Sequence, residues 1–254
     1  MGNVVGSNVA NIGLILGSCA LILPIPVARG VLRFEYPFLM IASWIALLLS
    51  RDGRLDRPEG AFFLASMAAF TAYAVWVARL EITSAERTVA AEAVPARAEP
   101  LSHKPGFILA LGIFAALVGL VLGAHSLVRG SVSLARGLGV SERVVGLTVV
   151  SIRTSLPELA VSLAAALRRQ QDMAVANVVG SSIFNLLMIL GAAGLARPLL
   201  VDERLVTVDL WVMMAFTVAL FPLVFRRGLL TRSAGAGLLA AYAAHVAWLA
   251  WNPQ

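Results

Sequence analysis

Apolar residues run through this chain in long blocks separated by short polar intervals. Eight blocks can be delimited, at 1–23, 35–50, 61–78, 106–128, 144–167, 172–196, 205–225 and 234–251. Most approach the roughly 20 residues that a helix needs to cross the hydrocarbon layer of a bilayer. No block alternates apolar and polar residues with a period of two, so the pattern predicts spanning helices rather than a membrane barrel. Residues 80–105, LEITSAERTVAAEAVPARAEPLSHKP, form the one long polar stretch. Its mixture of Ala, Glu, Arg and Pro predicts a linker with partial helical character. Three blocks precede it and five follow, which divides the chain into 1–79, the linker 80–105, and 106–254.

Composition agrees with this picture. Charged residues make up 13% of the chain and hydrophobic ones 59%, with a mean hydropathy of +0.87. A soluble domain carries about twice that share of charge, so the expectation is an all-α polytopic membrane protein. The net charge of +6 would suggest nucleic acid in a soluble protein. Here arginines sit in the short loops between blocks, where they set topology instead. They slightly favour the odd-numbered loops, which predicts a cytoplasmic linker and an external C-terminus. Cys19 is the single cysteine and lies within an apolar block, which excludes an internal disulfide and most thiolate metal sites. Residues 1–23 lack a basic leader region, and Asn3, Ser7, Asn8 and Asn11 interrupt their apolar run, so they do not read as a cleaved signal.

The chain repeats itself. GNVVGSNVANIGLILG at 2–17 and ANVVGSSIFNLLMILG at 176–191 share nine identities in sixteen positions at a constant offset of 174. At the same offset Pro24 meets Pro198, and Glu35 meets Asp209. Shared hydrophobicity does not produce that many matches. Internal repeats across a membrane mark many secondary transporters, with the substrate site where the repeats meet. An odd number of spans per repeat inverts the second copy relative to the first. The second half has five spans; the first has three, and the expected missing pair would precede residue 2.

Polar residues form a stripe in each copy. Asn3, Ser7 and Asn11 are four residues apart, as are Asn177, Ser181 and Asn185, so each trio lies along one helix face. Such side chains must turn toward protein or water, because an unpaired amide in hydrocarbon is costly. Helix–helix adhesion, helped by Gly6, Gly13 and Gly17, would account for one stripe alone. Two matched stripes beside an acidic segment point further. In GLTVVSIRTSLPELAVSLAAAL, residues 146–167, Glu158 sits near the middle of an apolar block. A carboxylate there costs roughly 2.5–3.5 kcal/mol on insertion scales. Pro157 frees a carbonyl one turn earlier, and Thr154 shares a face with Glu158. Freed carbonyls, hydroxyls and a carboxylate at mid-depth compose a site for a hard cation.

These residues carry a resemblance. GLTVVSIRTSLPELAVSL followed by ANVVGSSIFNLLMILG resembles the second alpha-repeat of the calcium/cation antiporter superfamily, the sodium/calcium exchangers, in its prokaryotic branch. GNVVGSNVANIGLILG resembles the latter part of the first alpha-repeat, and GAHSLVRGSVSLARGLGVSERVVGLT resembles the lead-in to the second. The resemblance implies the inverted-repeat sodium/calcium exchanger fold, with about 8 helices present of an expected 10. It implies exchange of calcium, or a related cation, for sodium or protons across the plasma membrane, with no enzymatic activity and no cofactor beyond the transported ions. Matched by motif position, it implies cation contacts from the Ser151 carbonyl, Thr154, Ser155, Glu158, Ser181 and Asn185 in the second half. Ser7 and Asn11 would contribute from the first. The expected partners are inorganic cations and the lipid bilayer, without nucleic acid, together with a separately encoded or missing N-terminal helix pair.

Three departures bear on that implication. Some relatives carry an acid where this chain has Asn185, which leaves sodium and proton coupling open. The first repeat's own Thr-Ser-x-Pro-Glu segment, with its glutamate, would lie before Met1. Arg153 stands where the family pattern has glycine, so a permanent cation sits beside the expected ion position and is a candidate modulator of the site. Oxygen count is adequate for calcium, which takes about 6–8 oxygens, but negative charge is scarce. A non-transporting scaffold or regulatory member of the family is therefore the competing expectation. Serine hydrolysis at Ser155 or Ser181 is disfavoured, because His103, His125 and His245 fall at no helical spacing from either serine. No phosphate-binding loop appears, which argues against ATP-driven pumping.

Overall fold

In a computed structural model the apolar blocks are helices that bend in matched places. The described residues are 1–91, scattered helical positions between 111 and 130, 142–168, 171–225 and 228–251. The side chains of 81–91, 142–154, 171–172, 225 and 250 fall outside that description. Among the described residues seven helices can be followed. They are α1 (Gly2–Ile22), α2 (Val31–Leu49), α3 (Arg57–Ala91), α4 (Glu142–Leu167), α5 (171–196), α6 (205–225) and α7 (Arg232–Trp251). Gly2–Ile22, Val31–Leu49, Arg57–Leu80, Met173–Ala196 and Leu205–Val224 are long and apolar enough to cross a bilayer. Helix α3 continues to Ala91, through the first part of the expected linker; the rest of that linker lies outside the described residues. The expected span 106–128 also lies largely outside them.

The two halves share one backbone plan. Single wide π turns interrupt α1 at Asn11–Leu16 and α5 at Asn185–Ile189. Matching turns open α2 at Val31–Glu35 and α6 at Leu205–Asp209. Each copy also carries a short extended segment after its first helix, β1 (Ile25–Pro26) and β3 (Leu199–Leu200). A second follows in each half, β2 (Arg54–Leu55) and β4 (Leu229–Leu230). Strands pair across the repeats, never within one: β1 runs antiparallel to β4, and β2 to β3. Those two ladders exchange when the halves are interchanged, which is the signature of a pseudo-two-fold axis. The flanking bonds obey it too, since Val27 N–H donates to the Gly228 carbonyl and Val201 N–H to the Gly53 carbonyl. Gly53 and Gly228 both have positive φ, 77° and 58°, a conformation that a side chain disfavours.

Third helices pack by close backbone approach. A Cβ at Gly235 in α7 would lie 2.8 Å from the Gly17 carbonyl oxygen, and one at Gly60 in α3 would lie 2.8 Å from the Gly191 carbonyl oxygen. From Gly53 onward the matched positions differ by 175 residues rather than 174. At that offset Arg57, Gly60, Ala61, Leu64, Ala65 and Trp76 of α3 meet identical residues in α7. The contiguous core runs through α1, α2, α5 and α6, where Ile15, Leu16, Ile183, Leu186 and Leu190 are almost wholly buried. Helix α4 packs against α1 and α5, bringing the Pro157 segment beside both π-bent helices.

Candidate cation site

Asn11 and Asn185 each begin a π turn, and each lies on the inner side of its helix. One extra residue per turn rotates the following side chains and loosens the hydrogen-bond ladder, which is why such turns gather at functional positions. The two helices are joined by side chains at their crossing. Asn11 Nδ2 donates to Ser182 Oγ at 3.2 Å, and Asn185 Nδ2 donates to Asn8 Oδ1 at 3.0 Å. At the offset of 174, Asn8 corresponds to Ser182 and Asn11 to Asn185, so the two bonds are one bond seen from both sides of the axis. A third, from Asn8 Nδ2 to the Ser182 carbonyl at 3.3 Å, joins a residue to its own counterpart, as only residues near the axis can.

Three oxygens, one at this seam and two on α4, which packs against α1 and α5, are buried without a hydrogen-bond partner among the described residues. They are Asn11 Oδ1, Ser155 Oγ and Glu158 Oε2. Asn11 is 1% exposed and Ser155 2%, so bulk water does not serve either, whereas Glu158 is half-buried. Buried polar atoms are nearly always paired, and each exception calls for a physical explanation. Asn11 Oδ1 and an ionised Glu158 Oε2 can only accept and the Ser155 hydroxyl can accept as well as donate; they lie on α1 and on α4, which packs against it. Pro157 lies inside α4 between the two α4 residues and cannot donate to the carbonyl four residues earlier. Lone pairs with no hydrogen aimed at them are the surroundings that a hard cation requires. Among the described residues, no three His, Cys, Asp or Glu side chains gather as a resident metal centre would need.

The sequence-predicted residues are distributed as follows. Ser7 and Asn11 are buried in α1; Ser181 and Asn185 are half-buried in α5; Ser155 and Glu158 are in α4 beside α1. Ser151, Arg153 and Thr154 belong to α4, but their side chains lie outside the described residues. Of the remaining stripe residues, Asn177 Nδ2 donates to Ser162 Oγ at 3.0 Å, tying α5 to α4, whereas Asn3 is exposed. Sequence reasoning missed Asn8, Ser182 and Ser162. Asn8 and Ser182 carried a usable signal: they are a matched polar position in both copies, one residue after each stripe serine.

The family described as sodium/calcium exchanger protein matches residues 1–76 and 108–251. CaxA of Alkalimonas amylolytica, named an antiporter, is 34% identical over 91% of this chain and 71% of its own length. Inner membrane protein YrbG of Escherichia coli is 32% identical over 89% of this chain and 69% of its own length. Among solved structures, the sodium-calcium exchanger NCX_Mj soaked with 10 mM Na+ and zero Ca2+ aligns with a TM-score of 0.73 at 28% identity. That alignment covers 97% of this chain and 75% of NCX_Mj.

Proposed function

This chain belongs to the sodium/calcium exchanger protein family, a family of multi-pass cation-exchange transporters, and from that premise we propose that it exchanges calcium or a related divalent cation for sodium or protons. The plasma membrane is its proposed location, with residues 80–105 cytoplasmic and the C-terminus outside, as the distribution of arginine among the loops favours. One observation carries the reading: among the described residues, buried oxygens without a partner occur on Asn11, where two inverted copies of one helix cross, and on Ser155 and Glu158 of the helix packed against both copies. Proposed ligands are these three side chains with Ser7, Ser181 and Asn185, joined by Thr154 and the Ser151 carbonyl. Outward- and inward-facing states would be near mirror uses of the same two repeats, rocking about the seam. Sodium and calcium would compete for one set of oxygens. Glu158 is the one titratable group in that set, so proton coupling, if used, would run through it.

Charge sets the expected affinity. A carboxylate about 4 Å from a unit charge contributes roughly 4 kcal/mol at an effective dielectric of 20, and more for a divalent ion. Only Glu158 supplies such a charge, and Arg153 lies five residues before it in α4. We therefore expect weak calcium binding, and Arg153→Gly to tighten it by about tenfold or more. A second reading, a non-transporting family member, is favoured by Arg153 itself. Calcium-45 uptake into liposomes holding the purified chain separates the two. Uptake driven by an outward sodium or proton gradient, and increased by Arg153→Gly, supports exchange. No uptake from either protein under either gradient supports the non-transporting reading, and the gradient that works identifies the coupling ion.

A further inference from the structure

Four side chains at the crossing of α1 and α5 form a polarised relay, and its sense is fixed at one end. The Ser182 backbone carbonyl can only accept, so the Asn8 amide must present Nδ2 to it, at 3.3 Å. That places Asn8 Oδ1 on the opposite side, where it too can only accept. Asn185 must then present Nδ2 to Asn8, at 3.0 Å, which leaves the Asn185 carbonyl oxygen on the side of its amide away from Asn8. On the other side of the axis Asn11 Nδ2 is taken up by Ser182 Oγ at 3.2 Å, and Asn11 Oδ1 is left buried without a partner among the described residues. Asn8 and Asn11 are each 1% exposed and Ser182 is fully buried, so these three side chains are not free to trade their bonds for water.

We propose that Asn8 and Ser182 are positioning residues for the cation site: by occupying the amide nitrogens of Asn185 and Asn11, they hold both amide oxygens toward the transported ion. An amide that flips presents N–H groups to the cation, which removes a ligand and adds a repulsive dipole. Preventing the flip is therefore worth more to the ion than to the fold. The two locks differ in strength. Asn8 is anchored by a backbone carbonyl and has one possible sense. Ser182 offers a hydroxyl, which can donate or accept, so it holds Asn11 less firmly. Asn185 is accordingly the better-ordered ligand of the two.

This inference rests on the cation-exchange reading, and the test keeps the two apart. Purified full-length protein is titrated with calcium and with sodium, reading the thermal stabilisation each produces and, in liposomes, the concentration dependence of calcium-45 uptake. Asn8→Ala should raise the half-saturating calcium concentration about tenfold and Ser182→Ala about threefold, with maximal uptake and the cation-free melting temperature changed much less. Asn8→Ser, which gives the first repeat the residue of the second, should recover part of the loss, and Ser182→Thr should recover most of it. Half-saturation unchanged in both alanine variants, or lowered melting with unchanged half-saturation, overturns the positioning role while leaving the exchange reading intact. No response of the unmodified chain to either cation overturns both.

Discussion

Asn3 and Asn177 occupy the same position in two copies of one sequence, yet Asn177 is bonded to Ser162 in α4 and Asn3 is exposed. The contrast extends along the repeats. Backbone features are duplicated almost residue for residue: the π turns, the crossed ladders, the positive-φ glycines and the close helix approaches at Gly17 and Gly191. Even buried side-chain bonds recur, since Ser43 donates to the Leu39 carbonyl and its counterpart Thr217 to the Met213 carbonyl, both at 2.8 Å. Charges and aromatic groups are duplicated only in part: Arg57 and Trp76 recur as Arg232 and Trp251, but others do not. Where the first half stacks Phe34 with Phe70 and Tyr73, the second half has Val208, His245 and Trp248 at the matched positions, with Arg204 over the Trp248 ring. Duplication preserved what bends and packs the helices, and the two copies then diverged in what the helices present.

The largest effect is expected where the halves differ most in charge. Glu158 is an acid of the second half, whereas Asn11 supplies a neutral oxygen from the first. Glu158→Gln should weaken calcium binding by about two to three decades, and Asn11→Ala by about one. Equal losses in a calcium titration would mean that the two halves contribute alike and that the single carboxylate is not the main determinant.

A smaller and symmetric effect is expected at the helix approaches. Alanine at Gly60 or Gly235 places a methyl 2.8 Å from a backbone carbonyl oxygen, and at Gly60 also against the Leu195 backbone nitrogen, whereas Gly237 has nothing within 4 Å. Overpacking of this kind typically costs about 1–3 kcal/mol. Gly60→Ala and Gly235→Ala should lower the melting temperature by similar amounts, and Gly237→Ala should not. A large difference between the first two would break the structural equivalence of the halves.

The smallest effect is expected at the aromatic clusters. Tyr73→Leu removes a ring 4.1 Å from Phe34, and Trp248→Leu removes the face under Arg204 at 5.1 Å. Each should cost about 0.5–1.5 kcal/mol in thermal melts. Added salt should shrink only the Trp248 effect, because only that one depends on a charge. Equal salt sensitivity would contradict the assignment of different chemistry to the two halves.

Much of the fold was legible because the repeat is written in identities, and identities at fixed spacing imply matched backbones. Five of the expected spans followed from length and apolarity, and the candidate site was drawn from polar residues that a lipid-facing helix does not tolerate. Two features were not legible. The π turns at Asn11 and Asn185 depend on tertiary packing rather than on a local propensity, so a stripe drawn at four-residue spacing continues past the point where the helix face rotates. That is why Asn8 and Ser182, off the stripe, carry the bonds across the axis. The change of offset to 175 at Gly53 was also hidden, because a one-residue insertion in a short connection leaves both flanking helices intact.

The central claim is that the seam between the repeats holds the transported cation. Anomalous scattering from bound strontium, a heavier congener of calcium, tests it most directly in a structure of the full chain. The account predicts a peak beside Glu158 and Asn11 Oδ1, at slightly more than the roughly 2.3–2.6 Å typical of calcium–oxygen contacts. A peak at Glu35 or Asp209 instead, with the seam oxygens bonded only to protein or water, would contradict it.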